Sequence, residues 1–86
     1  MSTTHGNKKI NISERKLGRE GAYGLFWSKS KRIEIDPRLS ARKYLYVLLH
    51  ELLHQACPEM TEDGVIRVAK ILAKGAWQQG YRRVQK

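Results

Sequence analysis

Leu48-Leu49-His50-Glu51-Leu52-Leu53-His54-Gln55-Ala56-Cys57 lies in the longest apolar run of the chain. On a helix, residues four apart stand one above the other, so the His50 and His54 imidazoles project from one face and can share a metal ion. Glu51 points roughly a quarter-turn away, where a carboxylate reaches a metal-bound water without being a ligand. Two neutral His ligands, a third ligand from elsewhere and a Glu general base make up the site of a zinc hydrolase. The competing reading has both histidines half-buried and hydrogen-bonded to neighbours, with no metal.

Working outward, Ser40 is the expected N-cap, with Leu39 and Tyr44 as a hydrophobic staple. The helix is expected over 41–57 and ends before Pro58, which disfavours helical geometry at the residue before it. Leu45, Leu48, Leu49, Leu52 and Ala56 form one apolar stripe, and Tyr46, Val47 and Leu53 populate the other side. A helix apolar nearly all round is buried on more than one flank, so this one is expected at the centre of the molecule.

A second helix is expected over 61–79, with Thr61 as N-cap and Gly80 as a left-handed stop. Val65, Ile66, Ala69, Leu72, Ala73 and Ala76 are expected inward, and Arg67, Lys70 and Lys74 outward. Gly64 and Gly75 suggest a close approach of the two helices, and Trp77 an anchor for the far end in the core. Upstream, 22–36 reads as a β-hairpin: a large apolar run to Trp27, a polar turn over Ser28-Lys29-Ser30-Lys31, then the alternating Arg32-Ile33-Glu34-Ile35-Asp36. Ile33 and Ile35 are expected to face the core and Glu34 and Asp36 to face water, with Pro37 closing the strand. Lys9-Ile10-Asn11-Ile12 has the alternation of a short strand, Ser13 to Gly21 reads as a loop or brief helical turn, and 1–7, with His5, as a disordered start. The basic segment from Tyr81 has no assignment.

Catalytic zinc requires three protein ligands and an open position. Glu62 shares the inward face with Val65 and Ile66 and is the first choice for the third ligand. Asp63 lies nearer the solvent edge on a shorter arm, and both acids also suit a helix N-terminus for dipole reasons alone. Cys57 and Glu59 are the remaining candidates, and Pro58 pulls Cys57 out of helical geometry.

The 86 residues are expected to form one domain, 1–86, at a size where a single core is barely sufficient and a metal tying two elements together adds stability. A single cysteine rules out an intramolecular disulfide, and no run reaches membrane-spanning length, so the expectation is a cytoplasmic protein without a membrane partner. The net charge is +9, from 17 basic and 8 acidic residues. Residues 1–43 carry 11 Lys/Arg against 4 acids, while 44–66 holds no Lys or Arg and four acids. That keeps cations away from the motif, and the basic remainder suits either nucleic acid or plain solubility.

The stretch from Ile33 to Trp77 resembles the very small zincin-type metallopeptidases of phages and bacteria. Ile-Glu-Ile-Asp-Pro-Arg-Leu-Ser, Leu-Leu-His-Glu-Leu-Leu-His-Gln-Ala-Cys-Pro and Thr-Glu-Asp before an amphipathic helix carry the likeness. The layout is similar to the cores of the SprT-like and ImmA/IrrE-like families, from about residue 22 to 83. It departs from them in the short interval between the second His and the acidic ligand. The resemblance implies an α+β fold, with a short antiparallel sheet on an active-site helix and a following C-terminal helix. It implies His50, His54 and Glu62 as ligands of Zn²⁺, Glu51 as catalytic acid/base, and a peptide or protein substrate. Tyr46 and Tyr81 are the candidate oxyanion donors. The rival expectation is a non-catalytic, metal-stapled module that binds nucleic acid or acts as an adaptor.

Overall fold

A computed structural model describes residues 9–84, so the expected disordered start at 1–7 lies outside the described residues. Three strands, β1 (Asn11–Glu14), β2 (Gly24–Trp27) and β3 (Arg32–Ile35), precede two helices, α1 (Ala41–Ala56) and α2 (Glu62–Gln78). The class is α+β. β2 and β3 form the expected antiparallel hairpin, Trp27 opposite Arg32 and Gly24 opposite Ile35. The sheet as a whole is not antiparallel: its order is β1-β3-β2, and β1 runs parallel to β3, Asn11 opposite Arg32 and Glu14 opposite Ile35. β1 also starts two residues later than the alternation of 9–12 suggests.

The reason lies in the segment read as a loop. Leu17, isolated among charged residues, is fully buried. Its N–H donates to the Asp36 carboxylate at 3.0 Å, and Arg15 N–H donates to the Ile35 carbonyl at 3.1 Å. These bonds hold the chain beside the end of β3 before a 3-10 turn at Gly18–Glu20, closed by Gly21 at φ 67°, carries it over to β2.

The same segment overturns the expectation that Glu34 and Asp36 face water: they are only 7% and 4% exposed. Glu34 accepts from the Arg15 guanidinium at 3.0 Å and from Trp27 Nε1 at 2.9 Å. Asp36 also accepts the Arg38 N–H at 3.0 Å and its guanidinium at 2.8 Å. A buried carboxylate is tolerable when its oxygens meet charged or N–H donors. These donors hold both carboxyls below their ordinary range, Glu34 through Arg15 first and then Trp27, Asp36 through Arg38 first and then the Leu17 N–H.

On the other face of the sheet, Ile33 and Ile35 pack with Tyr44 and Val47 of α1, with Phe26, Leu39, Leu48 and Leu52 around them. Each fully buried aliphatic side chain contributes about 1.5–3 kcal/mol. Ser40 caps α1, its hydroxyl accepting the Lys43 N–H at 3.3 Å, and the helix ends at Ala56 with Cys57 already non-helical before Pro58. Thr61 caps α2 by accepting the Gly64 N–H at 3.1 Å, and Gly80 at φ 88° follows its end. The expected ranges 41–57 and 61–79 thus include their own caps.

α2 buries Val65, Ala69 and Ala73, a stripe of small residues four apart. Leu72, expected inward, lies off that stripe and is 45% exposed. The glycines of α2 are not points of helix contact: a Cβ on Gly75 would meet nothing, and one on Gly64 would meet Met60 and Thr61 of its own cap. The close approach is at Gly24, where a Cβ would stand 2.6 Å from Val47 Cγ1. Trp77 is half-buried and not in the core, its ring flanked by the Arg42 and Arg82 guanidiniums. The unassigned basic segment has a structural role: Arg83 lies over the Tyr44 ring and pairs with Glu14, which also accepts from the Tyr44 hydroxyl at 2.8 Å. β1 is thereby tied to α1. Among the described residues no helix is long and apolar enough to cross a membrane.

Candidate metal centre

Helix periodicity places Tyr46, His50 and His54 in one row on α1, a turn apart. The two imidazoles meet edge to face, with centroids 5.0 Å apart and Nε2 atoms 3.3 Å apart. The Tyr46 hydroxyl lies 3.3 Å from His50 Nδ1. With the hydrogen on Nδ1 donated to that oxygen, the Nε2 lone pair is free to face His54, and such an outer partner fixes the tautomer and ring plane of a ligating histidine. Burial, with His54 adding to it, pushes the His50 pKa down against the opposing pull of Glu62, so the ring favours the neutral form that binds metals.

The third group arrives from α2. The turn closed by Met60 N–H on the Cys57 carbonyl at 2.9 Å and the Thr61 cap set Glu62 as the first residue of that helix. Its Oε2 stands 3.2 Å from His50 Nε2 and its Oε1 3.0 Å from His54 Nε2. His50, His54 and Glu62 offer ligand atoms all within 4.8 Å of one another and are the group of this kind among the described residues. Asp63 and Glu59 are exposed and Cys57 is half-buried, all three outside the cluster. For metal–nitrogen bonds of 2.0–2.1 Å, a tetrahedral site has edges of about 3.3–3.4 Å. The two Nε2 atoms, 3.3 Å apart, match that edge, the two Glu62 oxygens stand 3.0 and 3.2 Å from one imidazole each, and two imidazoles and a carboxylate are zinc's usual donor set, so the residues fit the ion.

Glu51 leaves α1 on the sheet side of this row. It is 7% exposed, and it forms no ion pair among the described residues. Burial raises its pKa, and Glu62 adds to the rise while His54 opposes it. Glu51 and the three donors share a cleft of about 330 Å³ with Gly24, Leu25 and Phe26 of β2. The Glu62 side chain is 60% exposed, which leaves the triangle open toward solvent.

The walls of this cleft are not marked by any motif in the sequence. A Cβ on Gly24 would stand 3.2 Å from both Cγ and Oε2 of Glu51, so only glycine lets the strand pass so close to that carboxylate. A glycine inside an aromatic-rich strand is the clue in the sequence. The Tyr46 hydroxyl, a candidate oxyanion donor, lies beside His50 Nδ1. Tyr81 lines a separate hollow with Ile12, Leu45 and Trp77, away from the cleft. No protein-family model, curated protein or solved structure matches this chain.

Proposed function

We propose that the chain is a zinc-dependent peptidase of the small zincin kind. The observation that carries the reading is the convergence of His50, His54 and Glu62 at 3.0–3.3 Å in a cleft that also holds the buried, unpaired Glu51. A zinc ion held by His50, His54 and Glu62 would supply a Lewis acid and a water acidified for attack on a carbonyl. Glu51 would act as the proton carrier of the cleft, accepting a proton from the attacking water and giving it to the leaving amine. A carboxyl raised by burial suits both steps, because its pKa moves toward the working pH. Tyr46 keeps His50 in the ligating tautomer.

Among the described residues β2 pairs with β3 alone, which leaves its other edge without a strand there, and β2 borders the cleft. An extended substrate chain adding to this edge is held by main-chain hydrogen bonds, with Leu25 and Phe26 as an apolar wall beside the scissile bond. A purely structural zinc site would close with a fourth protein ligand and would have no use for Glu51.

The test is zinc quantification on protein purified without added metal, together with cleavage of a broad peptide library by the wild type and by Glu51→Gln. About one zinc per chain, with cleavage by the wild type and retained zinc but lost cleavage in the variant, is the expected result. Absence of zinc, or cleavage unaffected by Glu51→Gln, overturns the proposal.

A further inference from the structure

The row that carries the histidines continues past them. Arg42, Tyr46, His50 and His54 are spaced four apart on α1, and Glu62, Ile66, Lys70 and Lys74 are spaced four apart on α2. The two rows run in opposite directions on the two packed helices. Glu62 meets the histidines at one end, and at the other Lys70 and Lys74 join Arg42 and Tyr46 around a hollow of about 240 Å³ floored by Ala73. None of Arg42, Lys70 and Lys74 is in an ion pair among the described residues. Three unneutralised cations around one small hollow repel one another, and an anion seated there removes the repulsion. Arg42 is held in place by the Trp77 face, 5.8 Å from the ring centroid.

The hollow lies in line with the path of an extended chain over the metal cleft. Lys43 stands 4.0 Å from the ring centroid of Tyr23, and the next residue, Gly24, faces Val47 and Glu51, so β2 advances in the same direction as α1. A chain added to the free edge of β2 therefore follows the α1 axis toward Arg42. Eight residues of helix separate Arg42 from His50, about 12 Å, a distance that three or four residues of extended chain cover.

We propose that the Arg42, Lys70 and Lys74 hollow is a carboxylate-binding subsite that selects peptide substrates with an acidic side chain three or four residues from the scissile bond. The substrate class rests on the peptidase reading, whereas the anion selectivity rests on the hollow alone. A volume of about 240 Å³ admits one carboxylate with its waters and is not a track for a duplex. Charge-assisted hydrogen bonds from two or three cations give about a tenfold to hundredfold preference over the neutral isostere.

The experiment uses zinc-loaded Glu51→Gln chain as a non-cleaving binder and two random peptide pools, one with Glu fixed at a single position and the other with Gln there. Retention of the Glu pool about tenfold above the Gln pool, weakened by salt, is expected. Adding Arg42→Gln, Lys70→Gln and Lys74→Gln together should abolish the preference with zinc content and the folded circular-dichroism spectrum retained. Single Lys70→Gln and Lys74→Gln variants, each at an exposed residue, should each weaken it. Equal retention of the two pools, or a preference that survives the triple variant, overturns the subsite. A wild-type chain that cleaves both pools equally also overturns it and leaves the peptidase reading standing. A Glu preference in a wild type that cleaves nothing supports the carboxylate site and sinks the peptidase reading. Displacement of the Glu pool by a short DNA duplex at lower concentration than by free Glu peptide reassigns the cations to nucleic acid and overturns the proposal.

Discussion

Glu62 Oε1 stands 3.0 Å from Nε2 of His54, and the two residues belong to the first turn of α2 and the last turn of α1. The metal candidate is therefore also a clasp between two helices joined by the short Pro58-Glu59-Met60 turn. In a chain of 86 residues a metal bound in such a clasp would carry an appreciable share of the stability.

Zinc at a hundredfold excess over its Kd is expected to add about 2.7 kcal/mol, roughly 10–20 °C in melting temperature for a domain of this size. His50→Ala, His54→Ala and Glu62→Ala should each abolish that rise. Thermal melts with zinc and with a chelator, beside metal quantification, check it. A chelator that leaves the wild-type transition where it was would refute the clasp.

Glu51→Gln keeps the shape of the side chain and removes the base. Because burial already disfavours the charged form, the fold and the zinc should survive while cleavage falls by roughly a hundredfold to ten-thousandfold. Glu62→Ala should lose zinc affinity first and activity as a consequence. The pair, assayed together for zinc and turnover, separates the two roles. Zinc loss in Glu51→Gln as complete as in His50→Ala would reassign that carboxylate to ligation.

Gly24→Ala should destabilise the protein by about 1–3 kcal/mol, since its methyl collides with Val47 and presses on Glu51, and helix and strand must part. Denaturant unfolding measures the loss. A Gly75→Ala control, with open space around it, should be neutral or stabilising by up to about 1 kcal/mol. If Gly24→Ala is as well tolerated as Gly75→Ala, the close approach is wrong.

Acid should unfold the protein through the covered face of the sheet. Glu34 and Asp36 have folded values below their ordinary ones, so the folded state binds fewer protons than the unfolded state as pH drops through the ordinary carboxylate range. The stability they contribute is present in full above about pH 4.5 and disappears as pH falls through the depressed folded values. Glu34→Gln and Asp36→Asn should be less stable than the wild type at pH 7, and the gap should narrow toward pH 2. Melting temperature followed across that range is the measurement, and a gap that stays constant with pH would show that these carboxylates contribute no ionic stability.

Leu17→Ala should cost about 2–5 kcal/mol, the loss expected for a fully buried leucine, and should free β1 as well as the cover over Asp36. Hydrogen exchange at the Leu17 and Arg15 amides would report it. Protection unchanged in the variant would mean that the segment is not anchored by this side chain.

Local geometry made much of this legible beforehand. The four-residue spacing of His50 and His54, the Ser40 and Thr61 caps, the left-handed Gly80 and the alternation of Ile33 and Ile35 each depend on bonds and rotations within a turn or two of chain, so the residues themselves determine them. Partners distant along the chain were decided only when it folded. β1 lies parallel to β3 because Asp36 and Ile35 collect the backbone of Leu17 and Arg15, about twenty positions away, and no periodicity records that. Glu34 and Asp36 looked like acids on a wet strand face until Arg15, Arg38 and Trp27 covered them. Helical face favours Glu62 over Asp63, but the Glu62 carboxylate reaches the imidazoles through the angle at which α2 returns on α1, and that angle comes from packing Val65, Ala69 and Ala73. Charge alone said that the chain is basic. The fold decided that Arg42, Lys70 and Lys74 stand around one hollow together with Tyr46, the residue that meets His50.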